Sequence, residues 1–289
     1  MAGQPNVSIV IHTKNEETNI PHLLRSIAGK FEQVFVVDAG STDRTKEICG
    51  EFDVEFVQIE GDRSTLVKQR NWALDNLPFA NDWVYILDAD EQMTEELFAE
   101  ISALFSAGGP PDDVDAYLVR YKEIIFGRWV KRAGFYPNWG IRLIRQKVVR
   151  HETRAVNSSL KADPARTRRL TKHFIHDDKR GFSAYIKRLA SVSLIEAQTI
   201  SEIYDKGTDQ IEGKMFSSDP LQRRRALKKL FYRLPGRPLI MFVYLYVVRG
   251  GFLEGWPGYY SAYLRMTHET FIGAMAYDLR KNEIKYDGN

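Results

Sequence analysis

One stretch decides the predicted fold: Trp83-Val84-Tyr85-Ile86-Leu87-Asp88-Ala89-Asp90. A continuous apolar run of this length is typical of a buried strand, and two acidic residues follow at its carboxyl end. Because these residues are two positions apart, we expect both carboxylates to point the same way. Paired oxygens suit Mg²⁺ or Mn²⁺, which take further ligands from water and substrate phosphates. Alone, such a triplet is more often a solvated turn or a helix cap, so the surrounding sequence decides between these interpretations.

The sequence on the amino-terminal side of this stretch alternates between strand and helix patterns. The predicted strands are residues 7–11, 33–37 and 54–59. The predicted helices are residues 17–28, 42–52 and 65–77. This alternation indicates parallel strands with helical crossovers, which form an α/β, doubly wound sheet whose ligands bind beyond the carboxyl ends of the strands. The acidic triplet follows the fourth strand, where a ligand is expected.

The remaining sequence predicts an extension of this sheet and a second region. The predicted elements are a helix over 94–105, antiparallel strands over 117–121 and 141–144, and a long helix over 182–204. The glycines and prolines of residues 108–111 end the first of these helices. We interpret residues 213–220 as a linker, which divides the chain into an α/β domain, 1–212, and a basic and aromatic helical region, 213–289.

Composition indicates a globular protein in a reducing compartment. Hydrophobic residues make up 44% and charged residues 27% of the 289 residues, near the globular average. The single cysteine, Cys49, excludes an internal disulfide framework and a cysteine-based zinc site. Residues 1–6 lack the basic start, apolar core and cleavage site of a signal peptide, so we expect a cytoplasmic location.

The carboxyl-terminal region is basic and contains a short apolar run. Residues 223–289 hold 12 Lys and Arg against 5 Asp and Glu, whereas the rest of the chain holds 29 against 33. Residues 238–248 are apolar and aromatic but too few to span a bilayer, which takes roughly 20 residues. We predict an interfacial or re-entrant element at a membrane surface and no nucleic-acid partner, because the basic residues form no recognisable nucleic-acid module. The alternative is a buried helix that completes the core.

Four segments in this order resemble the motifs of family 2 glycosyltransferases of the GT-A fold. They are Val10-Ile11-His12-Thr13-Lys14-Asn15-Glu16, Val36-Val37-Asp38-Ala39-Gly40-Ser41-Thr42-Asp43, Lys68-Gln69-Arg70-Asn71 and Asp88-Ala89-Asp90-Glu91. The resemblance covers roughly residues 6–200. Within the family, Trp129, the strand 142–145 and the pair His151-Glu152 resemble the lipopolysaccharide core β-1,4-glucosyltransferase branch.

The resemblance implies an inverting, metal-dependent glycosyltransferase that moves a sugar from a nucleotide-diphosphate sugar, preferably a UDP-sugar. The implied donor-binding residues are Thr13, Asn15, Glu16, Asp38, Gly40, Lys68, Arg70, Asp88 and Ala89. The implied ligands of Mg²⁺ or Mn²⁺ are Asp90, which is also assigned a catalytic role, Asp88 and His176. Glu152 is the predicted base that takes the acceptor proton, because it lies in the His-Glu pair.

The acceptor is expected to be lipid-linked or of the lipopolysaccharide type, at the inner face of the cytoplasmic membrane. Aromatic and basic groups are concentrated after the predicted sheet extension, where acceptor recognition is expected. The predicted acceptor-binding residues are Trp129, Arg132, Tyr136 and Trp139. The same aromatic residues are also consistent with a small core under a long loop.

Several site residues have a purely structural alternative. Residues 38–41 also suit a turn in which Ser41 or Thr42 caps the next helix. Lys68 with Arg70 also suits a solvated helix face. Glu152 also suits a surface ion pair with Arg150 or Arg154. A histidine such as His173 or His176 is also common as a satisfied polar residue.

Two other functions compete with glycosyl transfer. A nucleotidyltransferase also uses acidic metal ligands, but it usually has a glycine-rich phosphate loop after the first strand, and residues 13–17 contain no glycine. A non-catalytic membrane-binding protein with a degenerate catalytic domain is consistent with the basic tail. The intact acidic triplet argues against that second alternative.

Overall fold

A computed structural model of the chain describes residues 4–59, 66–152, 160–205, 234 and 236–282. These residues fall into two compact units. The sheet unit comprises the described residues of Met1–Lys131 and Phe135–Gly181, and the helical unit comprises those of Arg132–Gly134 and Phe182–Asn289. The predicted linker 213–220, and with it the predicted domain boundary, lies outside the described residues.

The first half of the sheet unit alternates strands and helices as predicted. Its elements are β1 (Val7–Thr13), α1 (Ile20–Ile27), β2 (Gln33–Asp38), α2 (Thr45–Cys49), β3 (Glu55–Gln58), α3 (Leu66–Asn76) and β4 (Trp83–Asp88). Strand β1 is parallel to both β2 and β4, and β2 is parallel to β3. The carboxyl ends of β1, β2 and β4 therefore lie side by side at one edge of the sheet.

The second half extends the same sheet. Its elements are β5 (Glu91–Gln92), α4 (Glu95–Ser106), β6 (Ala116–Ile125), β7 (Arg128–Trp129), β8 (Asn138–Arg145), β9 (Arg150–His151), β10 (Leu160–Lys161) and β11 (Thr167–His176). Among the described residues, nine strands form one sheet in the order β3-β2-β1-β4-β8-β6-β11-β5, with β7 on β6. Strand β8 is antiparallel to both β4 and β6, which confirms the predicted antiparallel extension. Strands β9 and β10 pair separately.

Two hydrophobic clusters, one on each face, hold the central strands. Strand β1 buries Ile9 and Ile11 against α1 and α4 on one face, and it buries Val10 in the cluster that contains α3 residues on the other. Successive side chains of a strand point to opposite faces, so a strand with helices on both faces must be apolar at consecutive positions. The continuous apolar runs in the sequence predicted these strands for that reason.

Helix α2 begins later than predicted because a side chain competes with the helix for backbone donors. Asp43 accepts hydrogen bonds from the N–H groups of Glu17, at 3.0 Å, and Thr45, at 3.0 Å. This contact keeps residues 42–44 in a loop, and α2 begins only at Thr45.

The helical unit consists of α-helices joined around a tight turn. Its elements are α5 (Gly181–Asp205), α6 (Arg237–Val243), a π-helical turn (Tyr244–Val248), a 3₁₀ helix (Gly251–Glu254) and α7 (Trp256–Asn282). Helices α5 and α7 share a small core of Ala197, Ile200, Ile272 and Ala276. Arg237 and Glu269 form a buried ion pair, with Nε and Oε2 3.0 Å apart.

Glycines permit the close approach of backbone at the turn before α7. Gly250 has a positive φ of 73°, and a Cβ on Gly251 would lie 2.8 Å from the carbonyl oxygen of Leu245. A Cβ on Gly258 would lie only 2.1 Å from the carbonyl oxygen of Gly251. The two halves of the turn are thus packed backbone against backbone.

The apolar run 238–248 is helical and largely exposed. Leu239 and Val248 are 61% and 70% exposed, whereas Leu245 is buried. The alternative of a helix buried in the core therefore does not fit these residues, and the interfacial role stays a prediction. Within the described part of the chain, the helices are too short or too polar to cross a membrane.

Candidate donor site

Asp38 organises the loop that follows β2. Its buried carboxylate accepts hydrogen bonds from the N–H groups of Gly40, at 2.9 Å, and Ser41, at 2.8 Å. It also accepts bonds from the hydroxyls of Ser41, at 2.5 Å, and Thr13, at 3.1 Å. Gly40 has a positive φ of 80°, which this turn requires. The predicted turn therefore forms, but α2 begins only at Thr45, so neither Ser41 nor Thr42 caps it. A contact of Asp38 with base and ribose stays a prediction.

Asn15 joins the loop after β1 to the loop after β2. Its Oδ1 accepts a hydrogen bond from the N–H of Thr42 at 2.8 Å, and its own N–H donates to Ser41 Oγ at 2.8 Å. Asn15 adopts a left-handed conformation with a φ of 56°, which asparagine tolerates better than most residues. These hydrogen bonds therefore join the two loops at the predicted nucleotide pocket into one structural unit.

Glu16 contacts residues that the sequence did not single out. Arg180 Nη1 lies 2.9 Å from Glu16 Oε1, and Asn19 Nδ2 donates to Glu16 Oε2 at 2.8 Å. Burial raises the pKa of Glu16 to about 7. Asp178 in turn holds Arg180 through its Nε, at 2.8 Å, and Nη2, at 2.6 Å. The charged run 177–180 was the signal that sequence reasoning left unused.

Asp88 lies between two guanidinium groups. Arg70 Nη2 is 2.5 Å from Asp88 Oδ1, and Arg142 Nη2 is 3.5 Å from Asp88 Oδ2. Burial opposes the ionised carboxylate, but Arg70 and Arg142 hold the pKa of Asp88 well below its ordinary value. Arg70 is thereby fixed at the carboxyl edge of the sheet rather than on a solvated helix face. The side chain of Lys68 lies outside the described part.

A second buried carboxylate, Glu91, holds the turn after β4. Its Oε2 accepts a hydrogen bond from the N–H of Asp88 at 3.0 Å, and its Oε1 pairs with Arg142. Burial raises the pKa of Glu91 to about 7. The Arg142 guanidinium also lies 5.2 Å from the ring centre of Phe174. The guanidinium of Arg142 thus compensates the negative charge of two carboxylates. From the sequence, Arg142 was identified only as part of a strand.

Ala89 and Asp90 form the turn that follows. Ala89 is buried in the core of the sheet unit, and the carbonyl of Asp90 accepts a hydrogen bond from the N–H of Asp177 at 2.9 Å. The backbone of the acidic triplet is therefore fixed against the segment after β11.

His176 lies between two carboxylates. Strand pairing places it opposite Glu91 of β5 and Glu123 of β6. Its Nε2 lies 3.3 Å from Asp90 Oδ2 and its Nδ1 lies 3.0 Å from Glu123 Oε1. Burial opposes a charged imidazole, but the hydrogen bonds to Asp90 and Glu123 raise the pKa of His176 well above its ordinary value. His173 lies on the same strand, in register with Arg120.

Asp90 and His176 suit a divalent cation as a pair of ligands, provided that the cation replaces the proton on the His176 nitrogen that faces Asp90. The described residues contain no group of three or more His, Cys, Asp or Glu side chains placed to hold a metal ion. Mg²⁺ and Mn²⁺ at a diphosphate need fewer protein ligands, because phosphate oxygens and water supply the rest. A carboxylate on the far nitrogen of a ligand histidine fixes its orientation, and Glu123 has that position. Asp88 is engaged by Arg70 and Arg142, and its predicted role as a metal ligand stays a prediction.

The predicted base lies in a segment held against α3. Asn71 Nδ2 donates to the carbonyl oxygen of His151 at 3.0 Å, and the N–H of His151 donates to Asn71 Oδ1 at 2.8 Å. Burial and the positive charge of Arg70 lower the pKa of His151 to about 3. The Glu152 segment is therefore anchored beside the helix that carries Arg70.

Within the described part of the chain, Glu152 forms a long ion pair with Lys161. Lys161 Nζ lies 3.9 Å from Glu152 Oε1, whereas Arg150 pairs with Asp75 at 2.9 Å. The other predicted partner, Arg154, lies outside the described residues. An ion pair at this distance with an exposed lysine contributes little to stability, and the role of Glu152 as the base stays a prediction.

His12 adds a neutral group to this edge. It lies on β1 opposite Asp88 of β4. Burial, together with the charge of Arg70, lowers the pKa of His12 to about 3. A neutral imidazole next to the Asp88–Arg70 pair adds no charge to the site at physiological pH.

Three of the four predicted acceptor-binding residues lie in the sheet unit. The rings of Trp129 and Tyr136 pack edge to face with centroids 5.1 Å apart, and Lys122 Nζ lies 4.6 Å from the ring centre of Trp129. Trp139 faces the guanidinium of Arg169 at 5.0 Å. Trp129 is exposed, whereas Tyr136 and Trp139 are half-buried, so Trp129 is the ring that offers cation-flanked aromatic surface to a ligand.

Arg132, the fourth residue, belongs to the helical unit. Glu254 accepts hydrogen bonds from the N–H groups of Arg132, at 2.7 Å, and Ala133, at 2.9 Å. The Arg132 side chain lies against Gly250, where an added Cβ would be 2.9 Å from its Nη1. The structure thus places Arg132 at the tight turn before α7.

A doubly wound sheet whose carboxyl edge gathers acidic and basic side chains defines a doubly wound α/β protein, a class whose ligands bind at that edge. The model of the glycosyl transferase family 2 matches residues 8–186, and the chain belongs to this family. Together with the sheet topology, this match confirms the predicted family and the predicted GT-A type of α/β fold.

The curated relatives match only part of the chain. An uncharacterized glycosyltransferase of Rickettsia typhi is 32% identical over 144 residues, which are 49% of this chain and 47% of the relative. An uncharacterized glycosyltransferase of Rickettsia conorii is 35% identical over 101 residues, which are 35% of this chain and 34% of the relative. The chain thus aligns with less than half the length of these relatives.

Two solved structures are similar in fold at low sequence identity. S. aureus TarS 1-349 in complex with UDP-GlcNAc is 15% identical with a TM-score of 0.46, over 96% of this chain and 92% of TarS. Glucosyl-3-phosphoglycerate synthase from Mycobacterium tuberculosis, in complex with Mn²⁺, UDP and glucosyl-3-phosphoglycerate, is 13% identical with a TM-score of 0.43. That match covers 73% of this chain and 83% of the synthase. The lipopolysaccharide branch stays a prediction.

Proposed function

We propose that the chain is an inverting, metal-dependent glycosyltransferase that moves a hexose from a nucleotide-diphosphate sugar, a UDP-sugar in the first instance. The observation that supports this most is the pairing of Asp90 with His176, 3.3 Å apart, beside the Asp88–Arg70 ion pair at the carboxyl edge of the sheet. Family 2 membership favours glycosyl transfer over nucleotidyl transfer.

Asp90 and His176 would hold Mg²⁺ or Mn²⁺ at the donor diphosphate. The bound cation supplies electrostatic stabilisation of the negative charge on the leaving nucleoside diphosphate. Arg70, fixed by Asp88, adds a permanent positive charge at the same edge. Arg142 compensates the negative charge of Asp88 and Glu91, so the acidic turn keeps its shape.

Glu152 is proposed as the base on the acceptor side. The acceptor hydroxyl attacks the anomeric carbon from the face opposite the diphosphate, and its proton passes to the Glu152 carboxylate. The bond from the anomeric carbon to the acceptor oxygen forms as the bond to the diphosphate oxygen breaks. One displacement of this kind inverts the anomeric configuration. Asn71 supports the geometry, because it holds His151, the residue before the base.

We further propose a lipid-linked or lipopolysaccharide-type acceptor at the inner face of the cytoplasmic membrane. Trp129, Tyr136 and Trp139 are suited to stack on sugar rings, and their cationic neighbours suit a phosphorylated acceptor. Exposed apolar side chains of the helical unit support a membrane location.

Thermal stabilisation by nucleotide sugars tests the donor site. A donor at one hundred times its Kd contributes about 2.7 kcal/mol, so we expect a Tm rise of roughly 5 °C. The screen compares UDP-, GDP- and dTDP-sugars, each with Mn²⁺, with Mg²⁺ or with a chelator. The metal-dependent part of the shift is expected to disappear in Asp90→Asn.

Asp113→Asn serves as the matched control, because Asp113 is an exposed aspartate that pairs with Arg168. The proposal is wrong if no nucleotide sugar stabilises the wild type, or if Asp90→Asn keeps the same metal dependence. Product analysis separates the enzyme classes, since glycosyl transfer releases a nucleoside diphosphate and nucleotidyl transfer releases pyrophosphate.

A further inference from the structure

We propose that the turn before α7 inserts into the surface of an anionic lipid bilayer through five apolar side chains, here called the apolar tip. The apolar tip consists of Val247, Val248, Phe252, Leu253 and Trp256. The inference rests on the proposed membrane location and names the surface responsible for it. It does not depend on the transfer chemistry.

The exposure of the apolar tip is the first observation. Its five side chains are 56%, 70%, 51%, 61% and 71% exposed, in chain order. The turn also has its own interior, because Leu245 and Ala262 are completely buried. More than half of each tip side chain nevertheless stays exposed, including Phe252, whose ring packs edge to face on Tyr246 with centroids 6.3 Å apart. A cluster of large apolar groups on this scale marks an interaction surface.

The residues around the apolar tip favour a bilayer over a protein partner. Tyr244, Tyr260 and Tyr263 are about half exposed, and Tyr260 stacks on Trp256 with ring centroids 5.9 Å apart. Tyrosine and tryptophan combine an apolar ring with a polar group, which suits the boundary between acyl chains and headgroups. The turn has aliphatic side chains at its end and aromatic side chains around them, which is the arrangement expected of a protein surface inserted at that boundary.

The positive charge of this region of the sequence favours an anionic lipid surface. The sequence has no acidic residue between Asp219 and Glu254 but eight Lys and Arg residues in that interval. Six of these lie outside the described residues, and Arg237 is taken up by the buried ion pair with Glu269. Glu254 itself accepts hydrogen bonds from two backbone N–H groups. The exposed Arg132 side chain lies against Gly250 of the same turn. Basic side chains next to inserted apolar groups strengthen binding to anionic lipids.

The depth of insertion follows from the secondary structure. The described helices are not suited to cross a membrane, and the apolar tip lies on a π-helical turn, a short 3₁₀ helix and the first residue of α7. Such a turn reaches only the boundary of one leaflet. The closely packed glycines keep this turn narrow.

Vesicle binding by the full chain tests the inference. The variant Val248→Asp/Leu253→Asp places two charges on the apolar tip at exposed positions, so its fold is expected to stay intact. Binding to phosphatidylglycerol–phosphatidylcholine vesicles, measured by co-sedimentation, is expected to fall at least tenfold. Each substitution removes an apolar side chain that would leave water on insertion, and this loss weakens the partition of the protein into the bilayer severalfold. The wild type is expected to bind pure phosphatidylcholine vesicles more weakly.

Tyr277→Asp is the matched control. Tyr277 is 60% exposed and lies on the same helix as Trp256, about 30 Å further along. The inference is overturned if the tip variant binds vesicles like the wild type, or if Tyr277→Asp loses binding equally. A wild-type dimer that dissociates in the tip variant, with vesicle binding unchanged, assigns the surface to a second copy instead. Nucleotide-sugar stabilisation of the tip variant reports separately on the proposed catalytic function.

Discussion

At the scale of single residues, the site is a set of charges that compensate one another. Asp88 is matched by Arg70 and Arg142, and Glu16 is matched by Arg180. A carboxylate buried without such a partner would be costly. Removing one partner therefore affects the others, and single substitutions here are expected to act on the site as a whole.

Glu123 provides a test of the metal site at this scale. We expect Glu123→Ala to weaken Mn²⁺ affinity about 10- to 100-fold, because His176 loses the carboxylate that orients its ring. Isothermal titration of Mn²⁺ into the UDP-saturated protein measures this effect without an activity assay.

Glu123→Gln is the control for orientation alone. Its side-chain oxygen still accepts a hydrogen bond from the His176 ring, so we expect most of the affinity to return. Equal Mn²⁺ affinity in the wild type and Glu123→Ala, with near-ultraviolet circular dichroism unchanged, contradicts the assigned orientation.

At the scale of elements, one carboxylate joins three strands of the sheet. Asp115 precedes β6, and Arg166 Nε donates to it at 2.5 Å from the segment before β11. Its carbonyl oxygen accepts a hydrogen bond from the N–H of Arg145, the last residue of β8, at 2.8 Å. Asp115 is thus a link between β6, β8 and β11.

Asp115→Asn is expected to lower the free energy of unfolding by about 1–2 kcal/mol, because a hydrogen bond to a charged group is weakened at a partly exposed arginine. Hydrogen bonds from Arg166 lower the pKa of Asp115. The stabilisation is therefore complete above the ordinary aspartate pKa of about 4 and is lost as the pH falls through the lowered pKa. Urea unfolding at several pH values measures it.

The difference between wild type and Asp115→Asn should thus stay constant from neutral pH to about pH 5 and narrow in stronger acid. Asp113→Asn, at an exposed ion pair nearby, is expected to have little effect at any pH. A difference that widens on acidification contradicts the assignment.

Elements were predictable from sequence where local pattern decides them. Strands β1, β2 and β4 are apolar at consecutive positions because helices cover both of their faces. The position of the acidic triplet was predictable as well, because the triplet lies at the carboxyl end of β4. The start of α2 was not predictable, because it depends on the hydrogen bonds of Asp43 with Glu17 and Thr45.

The partners of the acidic triplet were predictable only in part. His176 could be proposed from resemblance, but Glu123 and Arg142 reach the site through the pairing of β6 and β8 within the sheet. That pairing is set by register between distant segments, and a shift of one residue would turn each side chain to the other face. Sequence pattern contains little information on such a register.

At the scale of the whole molecule, the chemical reactivity of Cys49 measures the unfolding of the sheet unit. It is the single cysteine of the chain and lies in the hydrophobic cluster that contains Val36 and Leu97. Burial raises the pKa of its thiol to about 11. The folded protein therefore holds this thiol protonated at physiological pH.

We expect iodoacetamide to modify Cys49 of the native protein at pH 8 at least about a hundredfold more slowly than the urea-unfolded chain, because only the thiolate reacts. Mass spectrometry over time measures both rates. A short cysteine peptide in the same two buffers controls for solvent effects on the reagent. Rapid modification of the native protein contradicts the burial of Cys49.

The backbone packing at Gly251 and Gly258 has an evolutionary consequence. No side chain fits at either position, since a Cβ would meet carbonyl oxygens at 2.8 Å and 2.1 Å. The neighbouring valine side chains, Val247 and Val248, have no such limit, because they are 56% and 70% exposed. Genetic drift can therefore exchange one large apolar residue for another in this segment, whereas a single-nucleotide change from glycine to alanine at either position is expected to be removed by selection.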